Sequence, residues 1–309
     1  MKILIVGAGA LGGYFGGRLI EAGQDVTFLL RPKRIEQIEK TQGLRVKSSY
    51  GDMHFTDIKY LTTEQIQTPY DLIIVSCKAY SLAECMESFA PAVGKDTMIL
   101  PVLNGMMHID MLTQRFGKQH VLGGLAVISA TLDEQGQILH LNKNHGITYG
   151  ELDAQNTPRI QAVKAIFEKA GFVSECSNNI MQAMWIKWVM ISTAVGTTCL
   201  FRGAVCDVIN AGGTEYITAL FDECASVAKD NGYRLDETIY TNTRNNMINP
   251  ANTLMASMLK DIEKGHNIEI EAIIEDLIKH AHNPTKLKML KLVHTHLKTY
   301  LIRKERERA

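Results

Sequence analysis

The sequence predicts an α/β protein, with a doubly wound parallel sheet at the N-terminus followed by an all-helical C-terminal domain. As far as residue 176, short apolar runs typical of buried strands alternate with segments of helical period. From residue 178 onward, long helical patterns follow one another with few strand signals. We therefore predict two domains, 1–177 and 178–309.

A glycine-rich turn joins the first predicted strand to the first predicted helix. The apolar run Lys2–Val6 leads directly into Gly7, Ala8, Gly9, Ala10, Leu11 and Gly12, where the helix begins. In such units the first glycine makes the turn, the second admits a pyrophosphate and the third lets helix and strand pack closely. The amides at the helix N-terminus also favour phosphate. We predict a Rossmann-like dinucleotide-binding domain; the alternative is a glycine turn with a structural role alone.

The residue after the second predicted strand, 25–30, indicates which dinucleotide binds. An NAD site usually has Asp or Glu about 20 residues past the glycines, where it accepts a hydrogen bond from the ribose 2′-hydroxyl. This chain has Arg31 there. A guanidinium attracts the 2′-phosphate, so NADP(H) is favoured over NAD(H). A solvated basic loop is the alternative, since Lys33 and Arg34 follow.

Further signals extend the predicted N-terminal domain. We expect the sheet to continue through strands at 71–75, 97–100 and 121–124, and a hairpin to form from 138–140 and 146–150. Lys78 and Asn104 each follow one of these strands. Because such sheets bind ligands at the carboxyl ends of their strands, both residues are candidate ligand contacts. Lys78 could equally be a cation at a helix start, and Asn104 part of an ordinary turn.

The first helix of the C-terminal domain carries a lysine on its apolar face. Ile180, Met184 and Ile191 are spaced so that Lys187 lies among them. Its ammonium either reaches solvent at the edge of this stripe or sits in a pocket. These two interpretations cannot be separated by spacing alone.

Two more helices are predicted after this one. Residues 252–263 have a helical pattern that includes Ser257, and Gly265 ends it. Asn267 is then expected to cap a helix with Glu269 and Glu271 in its first turn. Acidic residues in a first turn commonly interact with the helix dipole.

Composition argues against several classes of function. The 33 basic and 33 acidic residues cancel, so no net field attracts nucleic acid or an anionic membrane. The six cysteines lack CxxC or Cys/His spacing, which indicates a reducing compartment and no metal site. We see neither a signal peptide nor an apolar run near the ~20 residues of a membrane span. We expect a cytoplasmic protein with a small-molecule partner; a homodimer is compatible with the sequence.

Several motifs occur in a specific order along nearly the whole chain. After the glycine segment and Arg31 they are Ser76-Cys77-Lys78-Ala79, Leu103-Asn104-Gly105-Met106, Glu134-Gln135-Gly136, Gly150-Glu151, Trp185-Ile186-Lys187, Ser257-Met258-Leu259-Lys260-Asp261-Ile262 and Glu269-Ile270-Glu271. In this order and spacing they resemble the ketopantoate reductase (2-dehydropantoate 2-reductase) family. The resemblance implies NADPH-dependent reduction of a 2-oxo acid to a 2-hydroxy acid, with 2-dehydropantoate as the expected substrate in pantothenate biosynthesis.

The resemblance also implies roles for individual residues. Lys187 corresponds to the proton-donating lysine, and Glu269 to the carboxylate near that lysine and the cofactor. Asn104 corresponds to a residue that touches both cofactor and substrate. Lys78 corresponds to a cofactor contact and Ser257 to a substrate contact.

The chain departs from the family where the substrate is recognised. One helical turn after the lysine the family commonly has Asn, and here the residue is Ile191; a later Asn-Gly is Arg202-Gly203. Ile191 cannot form a hydrogen bond with a substrate hydroxyl. The alignment also shifts at Ala130, which corresponds to a backbone cofactor contact. The alternatives are therefore a reductase of a different branched 2-oxo acid and a catalytically silent NADP(H)-binding sensor.

Overall fold

The structure, a computed structural model, describes residues 1–307 and divides into two compact units. Unit 1 comprises Met1–Leu103 and His108–Ala183, and unit 2 comprises Asn104–Met107 and the chain from Met184 onward. The last two residues of the predicted C-terminal domain, 308 and 309, lie outside the described range. Unit 1 mixes strands and helices whereas unit 2 is helical, and this confirms the predicted fold class.

The secondary structure of unit 1 begins with the predicted strand, turn and helix. Its strands are β1 (Lys2–Val6), β2 (Asp25–Leu29), β3 (Leu44–Lys47), β4 (Met53–Phe55), β5 (Lys59–Leu61), β6 (Leu72–Val75), β7 (Met98–Pro101), β8 (Leu122–Leu132), β9 (Ile138–Glu151) and β10 (Val173–Cys176). Its helices are α1 (Ala10–Glu21), α2 (Pro32–Lys40), α3 (Leu82–Phe89), nearly all of α4 (Met107–Phe116) and α5 (Pro158–Phe167).

Unit 2 contains the remaining helices. They are α6 (Ile180–Phe201, in this unit from Met184), α7 (Val205–Asn210), α8 (Thr214–Asp230), α9 (Glu237–Met247), α10 (Ser257–Glu263), a π-helical turn (Glu271–Glu275), α11 (Asp276–Lys279) and α12 (Lys288–Arg306).

The first sheet of unit 1 is entirely parallel, with the strand order β5-β2-β1-β6-β7. All residues of β6 are buried, as are all of β1 after Lys2, which is why both strands are continuous apolar runs. Val6 at the end of β1 pairs with Leu29 on one side and Val75 on the other. The segments that follow these three strands therefore lie along one edge of the sheet.

The second sheet of unit 1 corrects two predictions. Of residues 121–124, expected in the first sheet, only Val121 bridges to it, in parallel with Ile99 of β7. Residues 122–124 begin β8, which is antiparallel to β9; the second sheet has the order β10-β9-β3-β4, with β8 paired to β9. The predicted hairpin of 138–140 and 146–150 is also wrong, because both arms belong to the single strand β9. The exposed polar residues between them, 142–144, suggest a turn in sequence but continue the strand. The actual turn is at 133–137, where the Gln137 amide donates to the Asp133 carboxylate at 2.8 Å.

Helix α6 is long and apolar enough to cross a membrane by length and composition alone. The expectation that no segment approaches this length is therefore wrong for α6. Within its most apolar window, 67% of the residues are buried inside the protein. Such burial is typical of the core helix of a globular unit.

Two predicted helix starts in unit 2 are also wrong. Helix α10 begins at Ser257 rather than at 252, because the carbonyls of Asn252 and Leu254 accept hydrogen bonds from the first amides of α7. Asn267 does not cap a helix: its side-chain oxygen accepts a hydrogen bond from Lys304 Nζ at 2.7 Å. The helical segment starts at 270, so Glu269 immediately precedes it.

Candidate functional site

The glycine segment has a backbone that a dinucleotide can approach. Gly7 has a φ of +88°, in the region that favours glycine, and Gly9 is the N-cap of α1 without any capping side chain. A Cβ at either position would meet nothing within 4 Å, whereas a Cβ at Gly12 would lie 2.2 Å from the Gly7 carbonyl oxygen. Gly12 therefore allows the close helix–strand packing that sequence predicted. The uncapped helix start and open backbone fit a pyrophosphate.

Arg34 stabilises this segment from α2. Its Nε donates to the carbonyl of Ala8 at 2.8 Å, and one terminal nitrogen donates to the carbonyl of Gly136, also at 2.8 Å. Sequence reasoning treated Arg34 as one more cation beside Arg31. No motif distinguishes the two arginines, and only the fold shows that Arg34 ties the glycine segment to the β8–β9 turn.

Arg31 lies at the carboxyl end of β2, as predicted, and is the N-cap of α2. Its guanidinium forms an ion pair with Glu84 of α3 at 2.8 Å, and both side chains are largely exposed. Exposed pairs of this kind contribute little to stability. Arg31 is thus accessible to a phosphate dianion, although Glu84 would compete for it.

Lys78 follows β6 at the same edge of the first sheet, as the N-cap of a short 3₁₀ turn. The parallel sheet thus brings together the glycine segment, Arg31 and Lys78. Ala130, by contrast, lies on β8 of the second sheet, beside a bulge between Ile128 and Ala130.

Asn104 belongs to unit 2 although it follows β7 by only a few residues. The next residue, Gly105, has a φ of +80°, and a Cβ there would lie 2.1 Å from the carbonyl oxygen of Ala272. Only glycine permits so close an approach. The structure therefore places Asn104 beside Gly105, which packs against Ala272 in the π-helical turn that follows Glu269.

Lys187 and Glu269 interact within unit 2. Lys187 lies on α6 and is only partly exposed, and the Glu269 side chain is buried. Burial, which disfavours the charged ammonium, lowers the pKa of Lys187 to about 8, while the negative charge of Glu269 acts in the opposite direction. An ammonium in open solvent would not be perturbed in this way. Its partial burial and the nearby buried carboxylate of Glu269 favour the pocket interpretation of Lys187 over the solvent-edge one.

The remaining predicted residues lie on α6 and α10. Ile191 is one turn after Lys187 and is partly buried, and Ser257 is exposed as the first residue of α10. The Thr198 hydroxyl of α6 accepts a hydrogen bond from the Ala256 amide at 3.3 Å. This bond connects the helix of Lys187 to the residue preceding Ser257.

Within residues 1–307, no cluster of three or more His, Cys, Asp or Glu side chains is arranged to hold a metal ion. Among these residues, no cysteine forms a disulfide.

Comparison with known proteins places both units in one family. The family described as ketopantoate reductase PanE/ApbA matches residues 3–154, and its C-terminal domain matches residues 179–300. An uncharacterized oxidoreductase of Bacillus subtilis, YkpB, is 35% identical over 282 residues, which cover 91% of this chain and 92% of that protein. The 2-dehydropantoate 2-reductase of Pyrococcus horikoshii is 29% identical over 301 residues, covering 91% of each chain.

Solved structures agree with the sequence comparison. The crystal structure of 2-dehydropantoate 2-reductase from Geobacter metallireducens matches with a TM-score of 0.87 at 27% identity, covering 97% of this chain and 99% of that one. The family match spans well over half of the residues and includes both units. The chain therefore belongs to the ketopantoate reductase family and is an oxidoreductase of this NAD(P)-dependent type.

Proposed function

We propose that this protein reduces a branched 2-oxo acid to the corresponding 2-hydroxy acid with NADPH, and that 2-dehydropantoate, reduced to pantoate, is the first candidate substrate. The observation that carries the proposal is the partly buried Lys187 beside the buried carboxylate of Glu269, a setting that lowers the pKa of Lys187 to about 8. A group with a perturbed pKa close to the working pH is suited to general acid catalysis. Relatives named 2-dehydropantoate 2-reductase support the reaction class.

The reaction needs a hydride at C2 and a proton on the carbonyl oxygen. When bound, the reduced nicotinamide supplies the hydride. Lys187 donates a proton from Nζ to the carbonyl oxygen as negative charge develops there, becomes neutral, and regains a proton from water. Because this charge appears only in the transition state, an ammonium directed at it lowers the barrier selectively. Glu269 keeps Lys187 in place and favours its protonated form.

Residues of both units contribute to binding in this proposal. Unit 1 supplies the glycine segment for the pyrophosphate, Arg31 for the 2′-phosphate, Lys78, and the Ala130 backbone. Unit 2 supplies Asn104 for cofactor and substrate, Glu269 for the cofactor, and Ser257 for the substrate. We assign NADP binding to domain 1–177 and substrate binding to domain 178–309; the family match, which stops at residue 154 and resumes at residue 179, supports this division. A cytoplasmic location belongs to the same proposal.

Ile191 favours a second candidate substrate. It lies on the same face of α6 as Lys187, one turn away, so it would border the carbon branch of a substrate whose carbonyl meets the ammonium. Asn at this position would form a hydrogen bond with the hydroxyl of ketopantoate, whereas Ile contacts a methyl group. A purely aliphatic acid such as ketoisovalerate therefore suits this chain better.

The first prediction concerns proton donation. Lys187→Ala should lower kcat for NADPH-dependent reduction by about 10²-fold or more, since a positioned general acid contributes about 10² to 10⁴. NADPH affinity, measured by fluorescence titration, should change little. Lys229→Ala is the matched control, because Lys229 is an exposed lysine in the last turn of α8. Near-normal turnover of Lys187→Ala would contradict the mechanism.

The same enzyme should show a pH dependence with a defined sign. Reduction requires protonated Lys187, so kcat/KM should be constant below about pH 8 and fall tenfold per unit above it. This descending limb should be absent from the residual activity of Lys187→Ala.

The second prediction concerns the cofactor. NADPH should bind about tenfold or more tightly than NADH, because Arg31 makes a charge-assisted contact with the 2′-phosphate. Arg31→Ala should remove most of this preference, and Glu84→Gln should maintain or increase it by releasing Arg31 from its ion pair. Lys33→Ala is the control, because Lys33 is an exposed cation in the first turn of α2, two residues after Arg31. Equal affinities for the two cofactors in the native protein would contradict the role of Arg31.

The third prediction concerns substrate selectivity. The native protein should favour ketoisovalerate over ketopantoate, and Ile191→Asn should shift the ratio of kcat/KM toward ketopantoate by about 5- to 150-fold, corresponding to about 1–3 kcal/mol for one buried hydrogen bond. Ile191→Val, which remains apolar, should not shift this ratio. If the native protein strongly prefers ketopantoate and Ile191→Asn does not increase that preference, residue 191 does not determine substrate selectivity.

A further inference from the structure

Two side chains of α6 bond to one backbone carbonyl in the segment after Glu269. The indole N–H of Trp188 donates to the carbonyl of Ile273 at 3.0 Å, and the Ser192 hydroxyl donates to the same oxygen at 3.1 Å. All three residues are buried, with Trp188 and Ile273 each 1% exposed and Ser192 0%. Trp188 and Ser192 are one helical turn apart and so share a face of α6.

The accepting carbonyl lies in the π-helical turn Glu271–Glu275. A π-helical turn interrupts the regular i→i+4 ladder, and side-chain donors can then bond to its carbonyls. The amide of Ile273 donates to the carbonyl of Glu269 at 3.2 Å. Ile273 therefore connects two parts of unit 2. Its carbonyl is bonded to side chains of α6, and its amide is bonded to the carbonyl of Glu269.

The Trp188 ring is itself fixed by its neighbours. Its centroid is 4.9 Å from that of Trp185 and 5.5 Å from that of His280, whose ring it meets nearly edge-on. Trp185 in turn stacks on Tyr233 with a centroid distance of 5.2 Å. Such packing restricts the rotamer of Trp188 and so directs its N–H.

We propose that Trp188 and Ser192 are positioning residues, which hold Lys187 in register with Glu269 by anchoring α6 to the carbonyl of Ile273. Lys187 is adjacent to Trp188 in sequence, and Glu269 is one hydrogen bond from Ile273, so movement at this anchor changes the separation of the two charges. In a poorly solvated site their attraction depends steeply on separation. Displacement of a catalytic group by about 1 Å can cost about 10²-fold in rate. This inference rests on the proposed role of Lys187 as proton donor.

Ser192→Ala and Trp188→Phe each remove one donor and keep most of the side-chain volume. Both should lower kcat by about 3- to 30-fold while leaving KM and NADPH affinity within about twofold, since a group that acts on the transition state alone affects kcat. With Glu269 less well placed, its support for the charged ammonium weakens, and the pKa of Lys187 should fall by about half a unit. The descending limb of kcat/KM against pH should therefore move to lower pH.

The matched control is Thr193→Val. Thr193 is also fully buried on α6, but its hydroxyl donates to the carbonyl of Val189 within the same helix, at 2.8 Å. Thr193→Val should lose about as much stability as Ser192→Ala, but the descending limb of kcat/KM against pH should stay in place. The shift should also be visible without cofactor or substrate, as a lower titration midpoint of Lys187 in NMR spectra of carbon-13-lysine-labelled protein.

The outcomes separate this inference from the proposed function. The positioning role would be overturned if Ser192→Ala and Trp188→Phe both show a normal kcat and an unmoved titration midpoint of Lys187. Identical effects of Ser192→Ala and Thr193→Val would also overturn it. If Ser192→Ala does not fold, Trp188→Phe alone decides. A fully active Lys187→Ala would instead overturn the proposed function itself.

Discussion

The proposed chemistry depends on limiting the contact of one ammonium, that of Lys187, with water. Desolvation of Lys187 disfavours its charged form and lowers its pKa. The negative charge of the buried Glu269 carboxylate favours the charged form and offsets part of this lowering. The lowering of the pKa from 10.5 to about 8 corresponds to a penalty of about 3 kcal/mol on the folded protein. Because the folded pKa is the lower one, the penalty is fully present below pH 8 and disappears as pH rises toward 10.5. A pair that costs stability is a candidate for a functional role.

The residues named in the proposed reaction belong to two units, each with its own architecture. The parallel sheet of unit 1 brings the glycine segment, Arg31 and Lys78 to one edge because parallel strands end on the same side. Unit 2 contains Lys187, the proposed acid, on the long helix α6, and the Ile273 carbonyl that bonds to the same helix. Its short segment Asn104–Met107 comes from the middle of unit 1 in sequence, yet belongs here because Gly105 allows close packing against Ala272.

Sequence reasoning worked where a local pattern determines the structure. The strand, glycine turn and helix at the N-terminus are confirmed, and the positive φ of Gly7 and the close packing at Gly12 are the steric reasons that the motif indicates. It failed where long-range pairing decides, as in β9, which pairs with β8 on both sides of residues 141–144 and so forms one strand instead of a hairpin. Asn267 likewise looked like a cap, but it bonds to Lys304 on a distant helix.

The candidate site shows the same division. Spacing placed Lys187 on an apolar face but could not show that a buried carboxylate, Glu269, lies near it. Nor did the sequence indicate that Arg34 bonds to Ala8 or that Trp188 and Ser192 share the carbonyl of Ile273. These contacts are long-range and leave no periodic signal. The domain boundary at 177/178 and the roles of the individual site residues remain predictions.

The most direct test of this account is the titration of Lys187 itself. NMR spectra of carbon-13-lysine-labelled protein, recorded from neutral to alkaline pH and assigned with Lys187→Ala, report the protonation of each ammonium separately. A desolvated Lys187 should give one resonance that titrates near pH 8, below the ordinary lysine pKa of about 10.5, and that is missing from the variant. If the resonance of Lys187 instead titrates near the ordinary value, its ammonium is solvated, and the proposed role of burial is wrong.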